Sequence, residues 1–412
     1  MTKPATVVLS DTATGKQLGQ LAAQPRRMCF SPDCETLAVA LYQKIELYSV
    51  PELNLVQTLN SASGDRTIVF SWNGKMVAAH ANAGTLGIWD TVTGKRIGSL
   101  PLGEAPGPTS GGGYAFSADA RCLALEMNDG TAAVYELATA KPRWSFGKKR
   151  LAPPLLKLGH LLPDEFKAGS CFAFSADRRL LVRARFDGIV YVYDMQSRTE
   201  LAPPFKGHDG RVTAVAFAPN GKTLASAGMD STALVWDVAR LKRPAPPARV
   251  LEPADLERHW QAMAENDAAK AFDSIGALIA SPSEAVAWIK DRVKPARLDT
   301  KHVADLIARL DAAEFEVCDK ALSDLSHLGA QIVPQLDKAL AANPPLEIKR
   351  RLEDLRGKRT GLLLEGEALR DYRAVEVLEQ ISTPEARAVL QTLAEGAPGA
   401  RVTTSAQAAL MR

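Results

Sequence analysis

The chain has 412 residues, of which 46% are hydrophobic and 24% charged, and its formal net charge is +3. This length is enough for two or three domains with buried cores. It contains no uncharged apolar run of about 18 residues and no apolar stretch near its start, so the sequence predicts a soluble, cytoplasmic protein without membrane spans or a secretion signal. The five cysteines form no CxxC pair and do not cluster with the six histidines, which argues against disulfides and structural zinc.

The charge is divided unevenly along the chain. Residues 1–250 hold 29 Lys and Arg against 21 Asp and Glu, whereas the remaining residues hold 21 against 26. Two different domains are therefore expected. Basic residues are scattered, apart from Lys148 to Arg150 and Arg240 to Arg249, which favours a solvated surface over a nucleic-acid interface.

One unit recurs five times in the first 240 residues. In each copy a Phe is followed 18 or 19 residues later by Tyr or Trp, and an acid usually comes next. The pairs are Phe30 with Tyr48, Phe70 with Trp89, Phe116 with Tyr135, Phe174 with Tyr193, and Phe217 with Trp236. Constant spacing inside units that lie at variable distances indicates one supersecondary element that was copied. Turns such as Ser31 to Asp33 and runs such as Leu37 to Leu41 predict a meander of short antiparallel strands.

The fifth unit has the most specific motif. It contains Gly207-His208, Leu224-Ala225-Ser226, Gly228-Met229-Asp230 and Trp236-Asp237. This pattern resembles the WD-repeat family, and the resemblance implies a β-propeller of four-stranded blades. It also implies that His208, Ser226, Asp230 and Trp236 hydrogen-bond to one another in a structural role. Because the other units lack a Gly-His pair, we expect this blade to be the most rigid one.

The chain starts with sequence that matches the end of a unit. Val7 to Asp11 aligns with Gly87 to Asp90, and Thr-Gly-Lys follows in both places. Residues 1–21 are therefore predicted to form the last two strands of a blade, and residues 22–240 five WD-type blades. The half-blade leaves an exposed sheet edge that has to be covered.

Two arrangements of these blades are open. In a closed five-bladed ring, residues 16–21 add the outer strand to the blade that ends at Trp236. In an open arc, the propeller is incomplete, and its missing amino-terminal portion lies on the same or on another chain. Rings of the family commonly have seven blades, which favours the open arc. Residues 101–113 have the composition of a flexible connection, and the apolar insertion 147–170 is expected to pack on the propeller or on a partner.

The sequence changes character after the fifth unit. Residues 241–251 form a Pro-rich, basic linker, and residues 252–412 show helical periodicity. Pro253 opens the first helix and Asp267 the second. Residues 312–336 resemble a HEAT repeat, with a looser match at 374–394, although Cys318 stands where that family often has Arg. The fold class is thus multidomain β plus α, an incomplete or five-bladed WD-type β-propeller followed by an α-helical HEAT-like domain, an order that looks like bacterial multidomain WD-repeat proteins.

No catalytic motif accompanies this architecture. Residues 220–223 superficially match a phosphate loop, but residue 216 is Ala where that loop needs Gly, and a hairpin turn explains the segment. The remaining histidines lie far apart in sequence: His80, His160, His259, His302 and His327. We predict no catalytic, cofactor-binding or metal-binding residue, and no enzyme activity.

Three functions remain open. The sequence favours a non-enzymatic scaffold for protein partners, with a propeller surface and a helical-repeat surface. One alternative is the carboxyl-terminal module of a longer or split signalling or transcription regulator. The other is a ligand sensor or enzyme that uses the propeller channel, which would require ionisable residues on the innermost strands.

Overall fold

The computed structural model describes residues 6–60, 68–82, 84–102, 113–127, 129–147, 171–242, 250–312, 314–359 and 361–412. It divides into two compact units, Met1–Ala245 and Pro246–Arg412. The expectations for residues 101–113 and 147–170 fall almost entirely outside the described residues.

The first unit is all β. Its strands in chain order are β1 (Thr6–Ser10), β2 (Gln17–Ala22), β3 (Arg27–Phe30), β4 (Thr36–Ala40), β5 (Lys44–Ser49), β6 (Leu55–Asn60), β7 (Ile68–Phe70), β8 (Met76–Asn82), β9 (Thr85–Asp90), β10 (Arg96–Pro101), β11 (Tyr114–Phe116), β12 (Cys122–Glu126), β13 (Ala132–Glu136), β14 (Lys141–Phe146), β15 (Cys171–Phe174), β16 (Leu180–Ala184), β17 (Ile189–Asp194), β18 (Thr199–Lys206), β19 (Val212–Phe217), β20 (Thr223–Gly228) and β21 (Ala233–Asp237). All pairings between these strands are antiparallel.

The strands form six meanders. β1 and β2 make a two-stranded half-blade; blades 1 to 4 are the four-stranded sheets β3–β6, β7–β10, β11–β14 and β15–β18; blade 5 is the three-stranded sheet β19–β21. Neighbouring blades meet through their first strands, since β3 contacts β7, β7 contacts β11, β11 contacts β15, and β15 contacts β19. This is the five-bladed β-propeller that the repeat predicted.

The repeated aromatic residues occupy the same register in every blade. Each Phe at the end of the first strand is paired with a Leu or Val of the second strand, and that residue is also paired with the Tyr or Trp of the third strand. The five rows are Phe30, Leu37 and Tyr48; Phe70, Val77 and Trp89; Phe116, Leu123 and Tyr135; Phe174, Leu181 and Tyr193; and Phe217, Leu224 and Trp236. The constant spacing along the chain therefore reflects one aromatic row across each sheet.

The pairing of β2 tests the closed five-bladed ring against the open arc for these strands. β2 pairs with β1, and β21 is the last strand of its sheet. Residues 16–21 therefore do not supply the outer strand of blade 5. The closed ring built on that pairing is not the arrangement found in the described residues.

The second unit is helical. Its helices are α1 (Pro253–Ala262), α2 (Ala268–Ile279), α3 (Pro282–Arg292), α4 (Thr300–Arg309), α5 (Phe315–His327), α6 (Val333–Ala341), α7 (Leu346–Arg359), α8 (Gly366–Ile381), α9 (Pro384–Ala394) and α10 (Arg401–Met411), with a 3₁₀ turn at Gly329–Ile332. Pro253 is the first residue of α1, and the carboxylate of Asp267 accepts hydrogen bonds from the backbone N–H groups of Ala269 and Lys270 at the start of α2.

The helices enclose two separate cores. One core lies among α1 to α3 and α8 to α10, and its buried residues include Trp260, Ile275 and Leu390. The other lies among α4 to α7 and includes Leu306, Leu325 and Leu352. The segment from α4 to α7 is thus inserted between two halves of a single helical cluster.

Cys318 belongs to the second core. It is buried, and the guanidinium of Arg351 contacts its sulfur and donates to the carbonyl oxygen of Leu310 at 3.2 Å. An arginine of α7 therefore contacts the sulfur of Cys318 on α5. Phe315, at the start of α5, is instead 78% exposed.

Asp371 on α8 provides a test of pH dependence in the helical unit. Burial raises the pKa of its carboxyl to about 6, with Arg370 opposing the rise and Glu367 adding to it. Because the folded-state pKa lies above the unfolded one, this group stabilises folding most below about pH 4, and that contribution is lost as the pH rises through 6. Asp371→Asn should therefore be more stable than the wild type at pH 8 by about 1–2 kcal/mol and equal to it at pH 4, as measured by urea unfolding.

Asp319→Asn is the control, since it makes the same substitution at an exposed position of α5. An Asp371→Asn protein less stable than the wild type at pH 8 would contradict the assigned direction.

Candidate functional site

The turn between the first and second strands has the same construction in four blades. A buried Ser hydroxyl donates to the side chain two residues later and accepts from the backbone N–H five residues later, at 2.9–3.0 Å. The Ser pairs are Ser31 with Asp33, Ser71 with Asn73, Ser117 with Asp119, and Ser175 with Asp177. The residue after each acid or amide has a left-handed φ between 57° and 67°. These hydroxyls hold the first turn of each blade, a role that turn propensity alone did not assign.

The acid that follows the repeated aromatic accepts hydrogen bonds within the turn that comes after it. Asp90 accepts hydrogen bonds from the backbone N–H and hydroxyl of Thr93, at 2.7 and 2.8 Å. Asp11 makes the same two bonds with Thr14, at 2.6 and 2.7 Å. The acid therefore caps the turn into the fourth strand, and the half-blade repeats the geometry of blade 2.

The structure brings together the four residues of the fifth unit that the family resemblance singled out. His208 Nε2 lies 2.8 Å from Ser226 Oγ, which also accepts a hydrogen bond from Trp236 Nε1 at 2.8 Å. His208 Nδ1 lies 3.0 Å from Asp230 Oδ2. The chain of contacts thus links the loop before β19 to β20, β21 and the turn between them.

The Asp230 carboxylate collects several donors. Although burial raises its pKa, hydrogen bonds from Thr232, His208 and the backbone N–H of Asp209 outweigh that effect and hold the pKa well below its usual range. Gly228 is packed closely on this network, because a Cβ there would lie 2.5 Å from both Asp230 Oδ1 and His208 Nδ1. The network therefore requires a residue without a side chain at position 228.

The order of Ser226, His208 and Asp230 matches that of a hydrolytic triad, but the surroundings do not suit catalysis. Ser226 is 2% exposed, and its oxygen is occupied by the indole N–H of Trp236. A nucleophile needs a substrate carbonyl within reach and donors for the oxyanion. The contacts favour a structural role for the four residues.

Two buried ion pairs connect blades 3 and 4. Arg178 Nη1 lies 2.8 Å from Asp119 Oδ2, and Arg183 Nη2 lies 3.5 Å from Glu126 Oε1. Burial raises the pKa of Asp119, but Arg178 and Arg121 together hold it well below its usual range. These charges join neighbouring turns and strands and offer no free acid or base.

One end of the propeller presents aromatic, Met and Arg side chains to solvent. In an antiparallel meander, the turns between second and third strands lie at the same end as the connections that enter each first strand. Tyr42 and Met229, in two such turns, are 67% and 70% exposed. The guanidinium of Arg26 lies 5.4 Å from the Tyr42 ring, and that of Arg185 lies 5.3 Å from the Phe186 ring. We call Arg26, Tyr42, Arg185, Phe186 and Met229 the loop face.

The remaining histidines do not assemble a site among the described residues. The hydroxyl of Tyr114 lies 3.0 Å from the ring nitrogens of His80, and His259 Nδ1 lies 3.2 Å from Ser274 Oγ. His302 is exposed on α4, whereas His160 and the His327 side chain fall outside the described part of the chain. In that part, no group of three or more His, Cys, Asp or Glu is arranged to hold a metal ion, and no helix has the length and hydropathy of a membrane span.

Sequence comparison matches the fifth blade to a known family. The model described as "WD domain, G-beta repeat" matches residues 199–237, which run from β18 to the end of β21. This segment contains the hydrogen-bonded network described above.

Individual relatives extend the similarity over more of the chain. The target of rapamycin complex subunit wat1 of Schizosaccharomyces pombe is 23% identical over 222 residues, which are 52% of this chain and 64% of that protein. Cell division cycle 20.1, cofactor of APC complex, of Arabidopsis thaliana is 24% identical over 169 residues, 41% of this chain and 33% of that protein. WD repeat-containing protein 1 of Gallus gallus is 32% identical over 87 residues, 21% of this chain and 14% of that protein. The chain thus covers less than two thirds of each of these relatives, all of which are eukaryotic.

Proposed function

We propose that this protein is a non-enzymatic interaction scaffold whose propeller binds a protein partner through the loop face. The observation that carries this proposal is the exposure of Tyr42 and Met229 at the end of the propeller that also carries Arg26 and Arg185. Tyr, Met and Arg are enriched in the energetically important centres of protein interfaces. The names of two relatives, a complex subunit and a cofactor of a complex, support a role in assemblies.

The innermost strands support the non-enzymatic part of the proposal. Strands β3, β7, β11, β15 and β19 have the sequences RMCF, IVF, YAF, CFAF and VTAVAF. Arg27 is their one side chain that is charged at neutral pH, and a channel enzyme would require several ionisable groups that converge. The sensor or channel-enzyme alternative therefore has less support than the scaffold.

We further propose that the helical unit is a second interaction surface with HEAT-like helix packing. Its α4 to α7 segment has its own buried core, and short turns connect successive helices. Three further expectations stay proposals. They are a relation to bacterial multidomain WD-repeat proteins, a role as a module of a longer or split regulator, and a cytoplasmic location.

The loop-face proposal is tested by affinity capture with the purified full chain. The variant Tyr42→Ala/Met229→Ala should weaken the binding of a captured partner by about 30-fold or more, because truncation of a single residue that dominates an interface already costs about 2 kcal/mol. The control is Val92→Ala, since Val92 is 79% exposed in the turn between β9 and β10, at the other end of the propeller. Equal affinity of the double variant and the control for every captured partner would reject the loop face as the binding surface.

A further inference from the structure

The helical unit consists of two groups of helices that pack separately. Every buried or partly buried residue of the first core lies in residues 251–293 or 374–410, and every one of the second core lies in residues 298–355. Helices that pack closely on one another also belong to the same group. We call α1 to α3 with α8 to α10 the host, and α4 to α7 the inserted module. Each group thus has a buried core of its own, as a cooperative folding unit requires.

Two connections without helical structure join the inserted module to the host. Residues 293–299 lead from α3 into α4, and residues 361–365 lead into α8. Within the first connection, the chain passes from Val293 in the host core to Leu298, which packs on the module core. A few residues at the ends of helices are enough to absorb the backbone rotation of a hinge. Both connections therefore have the length and position that a hinge needs.

Both connections are held by the same part of the host, the segment between α9 and α10. The carbonyl oxygen of Ala296 accepts a hydrogen bond from the backbone N–H of Ala397 at 2.7 Å. The guanidinium of Arg401, the first residue of α10, donates to the carbonyl oxygen of Gly361. The chain therefore enters and leaves the module next to one short host segment, which is the geometry expected of an inserted domain.

Gly396 determines how closely the first connection approaches the host. A Cβ at position 396 would lie 2.9 Å from the backbone nitrogen of Ala296 and 2.5 Å from Oγ1 of Thr403. Thr403 is fully buried, so its side chain has little room to move. A larger residue at position 396 would therefore push the first connection away from the host. Gly396 and Arg401 thus mark the two points at which the host holds the module.

We propose that α4 to α7 turn as a rigid module on these two connections, and that the contacts at Gly396 and Arg401 hold one orientation of the module. Packed cores resist deformation, so motion concentrates in the segments that join them. Because the two cores share no residue, the turn leaves both of them packed and changes the contacts of two short segments. The hinge alters the direction in which α4 to α7 present their exposed surface, whether or not that surface binds a partner.

The first test measures the distance between the two groups in the full chain. Azide-bearing amino acids replace Lys338 on α6 and Glu385 on α9, both exposed, and carry the dyes for single-molecule energy transfer. Gly396→Val/Arg401→Met should at least double the population with a second transfer efficiency, because both holding contacts are lost. Lys290→Met, which removes an exposed cation from α3, is the control and should leave the distribution unchanged. One narrow distribution that is the same in all three proteins would overturn the proposal.

Hydrogen exchange of the full chain tests whether the two cores are separate units, without any change at the connections. Leu325→Ala truncates a fully buried side chain of the module core, and Ile275→Ala truncates one of the host core. Leu325→Ala should raise amide exchange by about tenfold or more in α4 to α7 and leave the host unchanged, and Ile275→Ala should do the reverse. Exchange that rises equally in both groups would show a single cooperative unit and refute the hinge.

Discussion

Arg143→Leu is expected to lower the free energy of unfolding of the propeller by about 3–5 kcal/mol. Arg143 Nη2 lies 2.7 Å from Glu136 Oε1, and the two side chains are 2% and 0% exposed. Leu would fill much of the space but remove this guanidinium from the buried Glu136 carboxylate, to which the hydroxyl of Thr139 also donates a hydrogen bond. Urea unfolding of the full chain, followed by tryptophan fluorescence, measures the change.

Two further variants separate charge from packing. Glu136→Leu/Arg143→Leu should recover much of the lost stability, because neither charge of this ion pair is then buried without the other. Arg240→Leu breaks an ion pair with Asp237 whose side chains are 89% and 49% exposed, and it should change stability by less than about 1 kcal/mol. An Arg143→Leu effect as small as that of Arg240→Leu would refute the interpretation.

The sequence predicted the blade architecture because the repeat is local. Turn residues and the spacing of Phe30 and Tyr48 lie within a single meander, where strand order follows chain order. The half-blade was also recognisable, because Asp11 and Thr14 repeat the capping pair of Asp90 and Thr93. Patterns that depend on neighbours in the chain are therefore visible without coordinates.

Contacts between blades were not predictable in the same way. Arg183 and Glu126 are 57 residues apart, and no periodic feature of the sequence connects them. The exposure of Val235 was also hidden, because blade 5 alternates side chains in the same way as the blades that are covered on both sides. Burial of a sheet face depends on the neighbouring blade, which the sequence of one blade does not report.

The helical unit shows a similar limit. Helical periodicity and the capping residue Asp267 indicated where helices begin. The division into two cores was not evident from the sequence. It arises because α8 to α10 pack on α1 to α3, although α4 to α7 lie between them in the chain. Arg373 on α8 marks this return, since it is fully buried and donates to the carbonyl oxygens of Met263 and Glu265, more than 100 residues earlier.

Two features of blade 5 have opposite effects on its rigidity. Its hydrogen-bonded network links strands and loops, which favours protection of the backbone amides. The exposed side chains of Ala225 and Val235 and the edge position of β21 in the described residues act in the opposite direction. That blade 5 has the slowest amide exchange of the five blades stays a prediction. Because one side of this blade is exposed, its stability depends more on the hydrogen-bonded network than that of a blade covered on both sides.

Ser226→Ala should therefore destabilise blade 5 by about 2–4 kcal/mol and increase amide exchange in β19 to β21. The substitution removes the oxygen that lies 2.8 Å from both His208 Nε2 and Trp236 Nε1, so one buried and one partly buried polar group lose a partner. Hydrogen exchange of the full chain, read by mass spectrometry, measures the effect strand by strand. Ser99→Ala on the exposed surface of β10 is the control, and exchange in blade 5 that stays unchanged in Ser226→Ala would show that the network does not hold the blade.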